Sequence, residues 1–183
     1  MPGRRALFLD FGGTLVVVRD GRTVVDGAGD PVLRPHVART LAAARPLFDL
    51  CFIVSNQARI GKGEISQAEV VRRFEWLNRQ LGGAISDWRL CPHQDGDGCE
   101  CRKPRPGMFL DLARSHGVDL PGSTHVGDAD KDRLAASNAG IGTFAWADDF
   151  FRSDRGAGLA SSTRERHRPF TQPSQSDGPI AGR

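Results

Sequence analysis

The chain has 183 residues, of which 39% are hydrophobic and 26% are charged, and its formal net charge is +3. This composition is typical of a globular protein with a real core and excludes a fibrous or wholly disordered chain. Six arginines and three acidic residues in 152–183 account for the whole charge excess. The remaining body is neutral, so we expect no general nucleic-acid binding, which needs a basic face.

The first apolar run begins at Ala6 and ends at Asp10. A membrane helix needs about 20 apolar residues and a secretory signal needs an apolar stretch of about 7–15. We therefore expect a cytoplasmic protein without a membrane partner.

Strand-like and helix-like segments alternate along the chain. The apolar runs predict strands at residues 6–9, 50–54, 88–91, 125–126 and 143–146. The amphipathic segments predict helices at residues 34–44, 66–81, 107–116 and 131–139. Ser66 followed by Glu69 is a capping box that sets the start of the second helix. This alternation predicts an α/β fold, a single Rossmann-like domain with a parallel sheet flanked by helices.

The composition changes near Arg152, where Ser, Arg, Gly, Pro and Gln become dominant. A segment with so few bulky apolar residues cannot bury enough surface to offset its chain entropy. We therefore expect a domain over residues 1–151 and a disordered tail over 152–183. The alternative is a tail that binds a partner or attracts phosphate groups.

The most specific local motif is Cys-x-His-x5-Cys-x-Cys, formed by Cys91, His93, Cys99 and Cys101. The intervening residues 94–98 are all polar or Gly and cannot pack by themselves. Four thiolate and imidazole ligands at this spacing predict a closed structural zinc site. The alternatives are disulfides, which are rare in a chain without an export signal, or a reactive thiol. Cys51 lies within an apolar strand and is expected to be ordinary core.

Polar side chains follow the predicted strands where ligands bind in parallel sheets. Asp10 follows the first strand within Asp10-Phe-Gly-Gly-Thr14, and Asp128 follows the fourth. Asp10 is a candidate nucleophile or metal ligand, and the two carboxylates suit Mg²⁺. The alternatives are a capping Asp in a turn and, for Asp132, a residue that complements the helix dipole.

Ser55 ends the second strand, and Lys103 directly follows the cysteine-rich loop. Phosphoryl transfer depends on positioning and charge neutralisation. The groups expected at this sheet edge suit that reaction: two carboxylates, a hydroxyl, an ammonium and a divalent cation. The alternative for Arg102 and Lys103 is a solvated surface pair.

The order of these motifs resembles that of the haloacid dehalogenase (HAD) superfamily of phosphatases. The resemblance covers about residues 6–146. The Cys-x-His…Cys-x-Cys loop and the run Cys-Arg-Lys-Pro-x-Pro-Gly-Met at 101–108 are similar to the zinc-containing branch. That branch includes heptose-bisphosphate and histidinol-phosphate phosphatases.

The resemblance implies a role for each matching residue. Asp10 attacks phosphorus and becomes an aspartyl phosphate, Ser55 hydrogen-bonds the phosphoryl group and Lys103 neutralises it. Asp10, Asp128 and the backbone carbonyl of Gly12 hold Mg²⁺.

The resemblance also implies that Arg102 contacts the substrate, a small phosphorylated metabolite, and we expect Asn56 and Arg59 to bind it as well. The short insertions imply a minimal cap and an open site. We expect the protein to be monomeric.

Two positions depart from the pattern of the family. The first motif is Asp-x-Asp-x-Thr in the family, and its second Asp, the general acid and base, is replaced by Gly12. The zinc branch usually has Lys or Arg after the Asp of the fourth motif, where this chain has Ala129. Lys131 is a candidate substitute for that cation.

Three functions remain open on the sequence. The first is a Mg²⁺-dependent phosphatase with a weakened acid–base step, in which Asp20 or Asp130 is a candidate substitute proton donor. The second is a catalytically silent phosphoryl-ligand binder or regulatory protein on the same scaffold. The third is a different superfamily reaction, such as cleavage of a carbon–halogen or carbon–phosphorus bond.

Overall fold

The computed structural model describes residues 3–152 and contains one central parallel sheet. The strands are β1 (Ala6–Leu9), β2 (Val18–Arg19), β3 (Arg22–Thr23), β4 (Leu50–Asn56), β5 (Asp87–Cys91), β6 (Thr124–Gly127) and β7 (Thr143–Trp146). Five of them form the sheet in the order β5-β4-β1-β6-β7, with every neighbouring pair parallel. The predicted α/β class is confirmed.

Helices cover both faces of the sheet. They are α1 (Val37–Ala44), α2 (Ala58–Gly61), α3 (Gln67–Gln80), α4 (Gly107–His116), α5 (Asp130–Ala139) and α6 (Ala147–Phe150), with a 3₁₀ turn at Arg45–Leu47. One core cluster contains Phe11 and Phe74, and the other contains Phe52 and Phe109. Among the described residues, no helix combines the length and the apolar character that crossing a membrane requires.

Helix α1 begins later than its amphipathic pattern predicts. Arg34 precedes Pro35, and His36 has a left-handed backbone with φ of 66°. A residue before proline disfavours the helical region, so the regular turn starts only at Val37. By contrast, Ser66 Oγ accepts the Glu69 N–H at 3.0 Å, as the capping pattern predicts.

The short elements β2, β3, α2 and α6 had no periodic signal in the sequence. The β2–β3 hairpin pairs Val18 with Thr23 beside the carboxyl end of the sheet. Helix α6 packs Phe150 and Phe151 into the core, where they are 8% and 4% exposed. Apart from Arg152, the predicted tail lies outside the described residues.

Candidate active site

The carboxyl ends of β1, β4 and β6 bring the predicted polar residues together. Asp10 follows β1, Ser55 is the second-last residue of β4 and Asp128 follows β6. Thr14 Oγ1 lies 3.4 Å from Asp10 Oδ2 and 3.4 Å from Asp128 Oδ1. A sheet edge that is open on this side thus presents two carboxylates and two hydroxyls to one small volume.

The Lys103 ammonium is enclosed at the centre of this group. Its Nζ lies 2.6 Å from Asp10 Oδ1, 2.6 Å from Asp132 Oδ1 and 2.9 Å from the Val54 carbonyl. The contacts with Asp10 and the Val54 carbonyl are hydrogen bonds, and the contact with Asp132 is an ion pair. Lys103 therefore orients one oxygen of Asp10 and leaves Oδ2 directed towards Thr14.

Asp132 is the residue whose role the sequence did not reveal. It is fully buried, and its Oδ2 accepts the Ala129 N–H at 3.1 Å. It therefore closes the first turn of α5 while it binds Lys103 with its other oxygen. The available signal was its position three residues after Ala129, because an acidic side chain at the third position of a helix can accept the N–H of the residue that caps it.

Burial and charge shift the pKa values of this group. Burial raises the pKa of Asp10 to about 6, with Lys103 opposing the shift and Asp132 adding to it. Burial disfavours the charged form of Lys103, but the charges of Asp10 and Asp132 outweigh it and raise the pKa of Lys103. Burial also raises the pKa of Asp128. The lysine is thus a permanent cation at neutral pH.

Residues at the end of β4 hold the segment that carries Lys103. The Asn56 side chain donates to the Lys103 carbonyl at 3.0 Å and accepts the Lys103 N–H at 3.0 Å. Gln57 Nε2 donates to Ser55 Oγ at 2.9 Å, so the Ser55 hydroxyl proton remains available to an acceptor in the cleft. Asn56 therefore positions Lys103 in addition to lining the cleft.

The four residues of the cysteine motif converge on one point. The Cys91 and Cys99 sulfurs are 3.6 Å apart, and His93 Nδ1 lies 3.5 Å from Cys91 Sγ and 3.3 Å from Cys101 Sγ. A tetrahedral zinc with its usual bond lengths requires edges of about 3.8 Å between sulfurs and about 3.5 Å from nitrogen to sulfur. The donor set and its spacing fit zinc, with Nδ1 as the histidine ligand.

The carboxylates at the sheet edge fit a hard divalent cation. Asp10, Asp128 and Asp132 offer oxygens that all lie within 4.8 Å of one another. Gly13 has a φ of +81°, and a Cβ there would lie 2.1 Å from Asp128 Oδ2. The turn thus leaves space for Asp128 to face Asp10. Because Asp132 is engaged by Lys103, Asp10 and Asp128 are the available side-chain ligands for Mg²⁺.

A cleft of about 370 Å³ opens above these residues. It is lined by Asp10, Gly12, Ser55, Asn56 and Asp128, by the hairpin residues Val18, Gly21 and Thr23, and by four cations, Arg59, Lys62, Arg73 and Lys131. The cleft therefore combines two carboxylates with a cationic wall, in which Arg59 and Arg73 are paired with Glu64 and Glu69.

Of the three residues predicted to contact the substrate, Asn56 and Arg59 line this cleft and Arg102 does not. Arg59 lines it and pairs with Glu64 at 3.0 Å. Arg102 does not belong to the lining, because its guanidinium binds Asp95 at 2.7 Å and the His93 carbonyl at 3.1 Å. A contact between Arg102 and a ligand stays a prediction.

The position of Gly12 is open on the side of the cleft. Its φ lies outside the left-handed region, and a Cβ there would meet only Val18 Cγ2, at 3.2 Å. Within residues 3–152, Asp10 and Asp128 are the carboxylates that line the cleft, and neither Asp20 nor Asp130 does so. The geometry thus provides no carboxylate in the place of the missing acid.

Comparisons with known proteins agree with this geometry. A family model described as HAD-hydrolase-like matches residues 100–167. The D-glycero-beta-D-manno-heptose-1,7-bisphosphate 7-phosphatase of Bordetella bronchiseptica is 32% identical over 139 residues, which are 74% of this chain and 76% of that protein. The D-glycero-alpha-D-manno-heptose-1,7-bisphosphate 7-phosphatase of Burkholderia mallei is 34% identical over 76% of this chain and 77% of its own.

Solved structures show the same similarity. The crystal structure of the B. bronchiseptica D,D-heptose 1,7-bisphosphate phosphatase, complexed with magnesium and phosphate, superposes with a TM-score of 0.67 at 30% identity. The match covers 76% of this chain and 78% of that one.

Proposed function

Because the chain belongs to the HAD superfamily of hydrolases, we propose that it is a Mg²⁺-dependent phosphatase whose substrate is a phosphorylated sugar, with bisphosphates preferred. The observation that carries this proposal is the Asp10–Lys103 pair at the base of a cleft with four cationic side chains. Relatives named heptose-bisphosphate phosphatases support the sugar.

In the proposed reaction, Asp10 supplies the nucleophile through the carboxylate oxygen that Lys103 does not bind. A bond forms between that oxygen and phosphorus while the bond from phosphorus to the sugar oxygen breaks, which gives an aspartyl phosphate. The Ser55 hydroxyl donates to a phosphoryl oxygen, and the buried charge of Lys103 beside Asp10 offsets part of the negative charge that develops there. Water then attacks phosphorus, releases inorganic phosphate and regenerates Asp10, and its proton passes to solvent.

We further propose that Asp10, Asp128 and the Gly12 carbonyl hold Mg²⁺, which supplies additional charge neutralisation at the phosphoryl group. The zinc site is proposed as structural, since its four protein ligands leave no position for water. It would hold the loop that leads to Lys103, whose ammonium contacts Asp10 beneath the cleft.

The missing carboxylate at position 12 determines which bonds this site breaks well. Without an acid, the sugar oxygen leaves unprotonated, so esters with good leaving groups react fastest. Loss of general acid–base catalysis costs about 10²–10⁴ in rate. We therefore expect slow turnover of ordinary sugar esters and faster turnover of anomeric phosphates or aryl phosphates.

The cationic wall provides the preference for a second phosphate. Arg59 of α2 and Lys131 of α5 both line the cleft. A distal phosphate that reaches either cation gains a charge-assisted contact that a monoester lacks.

Phosphate release from a sugar bisphosphate, a sugar monophosphate and p-nitrophenyl phosphate, with and without Mg²⁺, tests the proposal. We expect Mg²⁺-dependent release that Asp10→Asn abolishes. Lys131→Ala and Arg59→Ala are expected to raise KM for the bisphosphate more than for p-nitrophenyl phosphate. Arg114→Ala removes an exposed arginine of α4 and serves as the matched control.

A catalytically silent phosphoryl-ligand binder is the second candidate, and Gly12 is the observation that favours it. Such a protein binds phosphate or a sugar bisphosphate in calorimetry but releases no phosphate from any of the three esters. That result would replace the phosphatase proposal.

A further inference from the structure

One arginine outside the predicted site connects the nucleophile turn to the last helix of the described chain. Arg34 Nη1 donates to the Gly13 carbonyl, and Arg34 Nη2 donates to the Asp148 carboxylate in α6. The Arg34 N–H also donates to the Leu15 carbonyl at 3.0 Å. Arg34 thus contacts the turn at two main-chain carbonyls.

The turn that Arg34 binds carries the groups proposed to hold the cation. Gly13 lies between Gly12 and Thr14, and its N–H donates to the Val16 carbonyl at 2.9 Å. With its carbonyl bound by Arg34, both polar groups of Gly13 are engaged. The Gly12–Gly13 peptide, which carries the Gly12 carbonyl, is thus held through its N–H, and the Gly13–Thr14 peptide is held through its carbonyl by Arg34.

The orientation of the backbone at Gly13 affects the carboxylates of the site, because Gly13 lies beside Asp128. Its φ of +81° brings the backbone within contact distance of Asp128. A rotation of the Gly13–Thr14 peptide would move Thr14 Oγ1 away from Asp10 and Asp128, the carboxylates it lies between.

We propose that Arg34 is a positioning residue for the divalent-cation site and that Asp148 in α6 orients its guanidinium. The cation site itself is part of the proposed function, on which this inference rests. Arg34 is too distant in sequence from Asp10 to belong to its motif, and it acts through the Gly13 peptide. Replacing a residue that holds metal ligands in place through hydrogen bonds typically weakens metal binding by about 10–100-fold.

The alternative is that Arg34 is merely structural. Its partner Asp148 has a side chain that is 79% exposed, and exposed ion pairs contribute little to stability. A structural role would leave Mg²⁺ affinity unchanged, with at most a small shift in melting temperature, whereas a positioning role changes the affinity.

Arg34→Met tests the inference because it keeps the apolar stem and removes every donor. Arg45→Met is the matched control, since Arg45 also donates to main-chain carbonyls, those of Phe48 and Asp49, at the end of α1. Mg²⁺ affinity is measured by calorimetry on the zinc-loaded full chain without substrate, and melting temperature is recorded in parallel.

We expect Arg34→Met to weaken Mg²⁺ binding by about 10–100-fold. Arg34→Lys, which restores one donor and the charge, should recover part of the loss, and Asp148→Asn should give a smaller loss. Arg45→Met should keep wild-type affinity. The inference is overturned if Arg34→Met binds Mg²⁺ normally, if Arg45→Met weakens binding equally, or if the wild-type chain binds no Mg²⁺.

The calorimetry separates this inference from the proposed function. A wild-type chain that binds Mg²⁺ but hydrolyses no ester overturns the phosphatase proposal and leaves the role of Arg34 standing. If the wild-type chain hydrolyses esters and Arg34→Met keeps full Mg²⁺ affinity, the role of Arg34 is overturned and the phosphatase proposal stands.

Discussion

Lys103 and Asp132 form an ion pair with fully buried side chains, in which Lys103 Nζ lies 2.6 Å from Asp132 Oδ1. The same ammonium lies 2.6 Å from Asp10 Oδ1, so one cation neutralises two carboxylates that solvent scarcely reaches. Lys103 therefore keeps Asp10 ionised in spite of its burial, and Asp132 holds Lys103 in place.

Replacing Lys103 with Met should destabilise the protein strongly. Breaking a buried ion pair from one side costs about 3–5 kcal/mol, because it leaves buried charge without a partner. Urea unfolding measures this change. Lys131→Met, an exposed lysine of the same cleft, should alter the free energy of unfolding by less than about 0.5 kcal/mol. Equal stability of the two variants would contradict the role assigned to Lys103.

Gly12→Asp should raise phosphatase turnover. Among residues 3–152, the one atom close to the new Cβ is Val18 Cγ2 at 3.2 Å, the end of a side chain on the hairpin. The gain could reach about 10²–10⁴ in kcat, the usual contribution of general acid–base catalysis, and it should be largest for poor leaving groups. Steady-state kinetics with alkyl and aryl phosphates measure it.

Two variants control for size and position. Gly12→Asn introduces a side chain of the same size that cannot supply a proton and should give no gain. Gly13→Asp places a Cβ 2.1 Å from Asp128 Oδ2 at a positive φ and should abolish activity. Asp10→Asn combined with Gly12→Asp should be inactive. A folded, Mg²⁺-binding Gly12→Asp variant that releases no phosphate would favour the silent binder.

Mg²⁺ affinity should fall as the pH drops below about 6. Burial raises the pKa of Asp10 to about 6 in the metal-free protein, and a protonated carboxyl does not bind the cation. Burial and the charge of Asp132 also raise the pKa of Asp128, which steepens the loss. Calorimetric titrations between pH 5 and 8 should show constant affinity at the upper end. Uniform affinity down to pH 5 would show that Asp10 is not a ligand.

Cys99→Ser should lower the zinc content and weaken phosphate binding together. The zinc loop leads directly into Lys103, so loosening it moves the ammonium that faces Asp10. Elemental analysis should find one zinc per wild-type chain after mild Mg²⁺ chelation, because soft ligands retain zinc. Cys51→Ala is the control, since Cys51 is buried in β4 among the apolar core. Wild-type protein that contains no zinc when expressed with zinc available would exclude this site.

A chain that ends at Arg152 should keep the melting temperature of the full chain, because residues 153–183 carry few apolar side chains. A chain that ends at Asp149 should lose stability, since it lacks Phe150 and Phe151. Removing a buried Phe typically costs about 3–5 kcal/mol. Thermal unfolding of the two truncations measures the difference. A large loss in the longer truncation would show that residues beyond 152 dock on the domain.

The sequence was sufficient to predict the features that arise from residues close together in the chain or from the regular geometry of the backbone. Alternating apolar and amphipathic segments predict the sheet and the four long helices, because burial periodicity follows from backbone geometry. The four residues of the proposed zinc site lie within eleven residues, so their spacing alone brings them together. Asp10 and Asp128 were predicted because strand ends in a parallel sheet share one edge.

Tertiary structure alone decided the partners that come from distant segments. Nothing near Asp132 in sequence indicates Lys103, and nothing near Arg34 indicates Gly13 or Asp148, because such pairs form only when separate helices and loops pack. The sequence also showed that Gly12 lacks the family carboxylate. The surroundings of Gly12 are visible only in the folded chain, where the hairpin packs against the turn. Among the described residues, no neighbouring carboxylate fills the space beside Gly12. Composition and spacing do not show which distant side chains lie near that space.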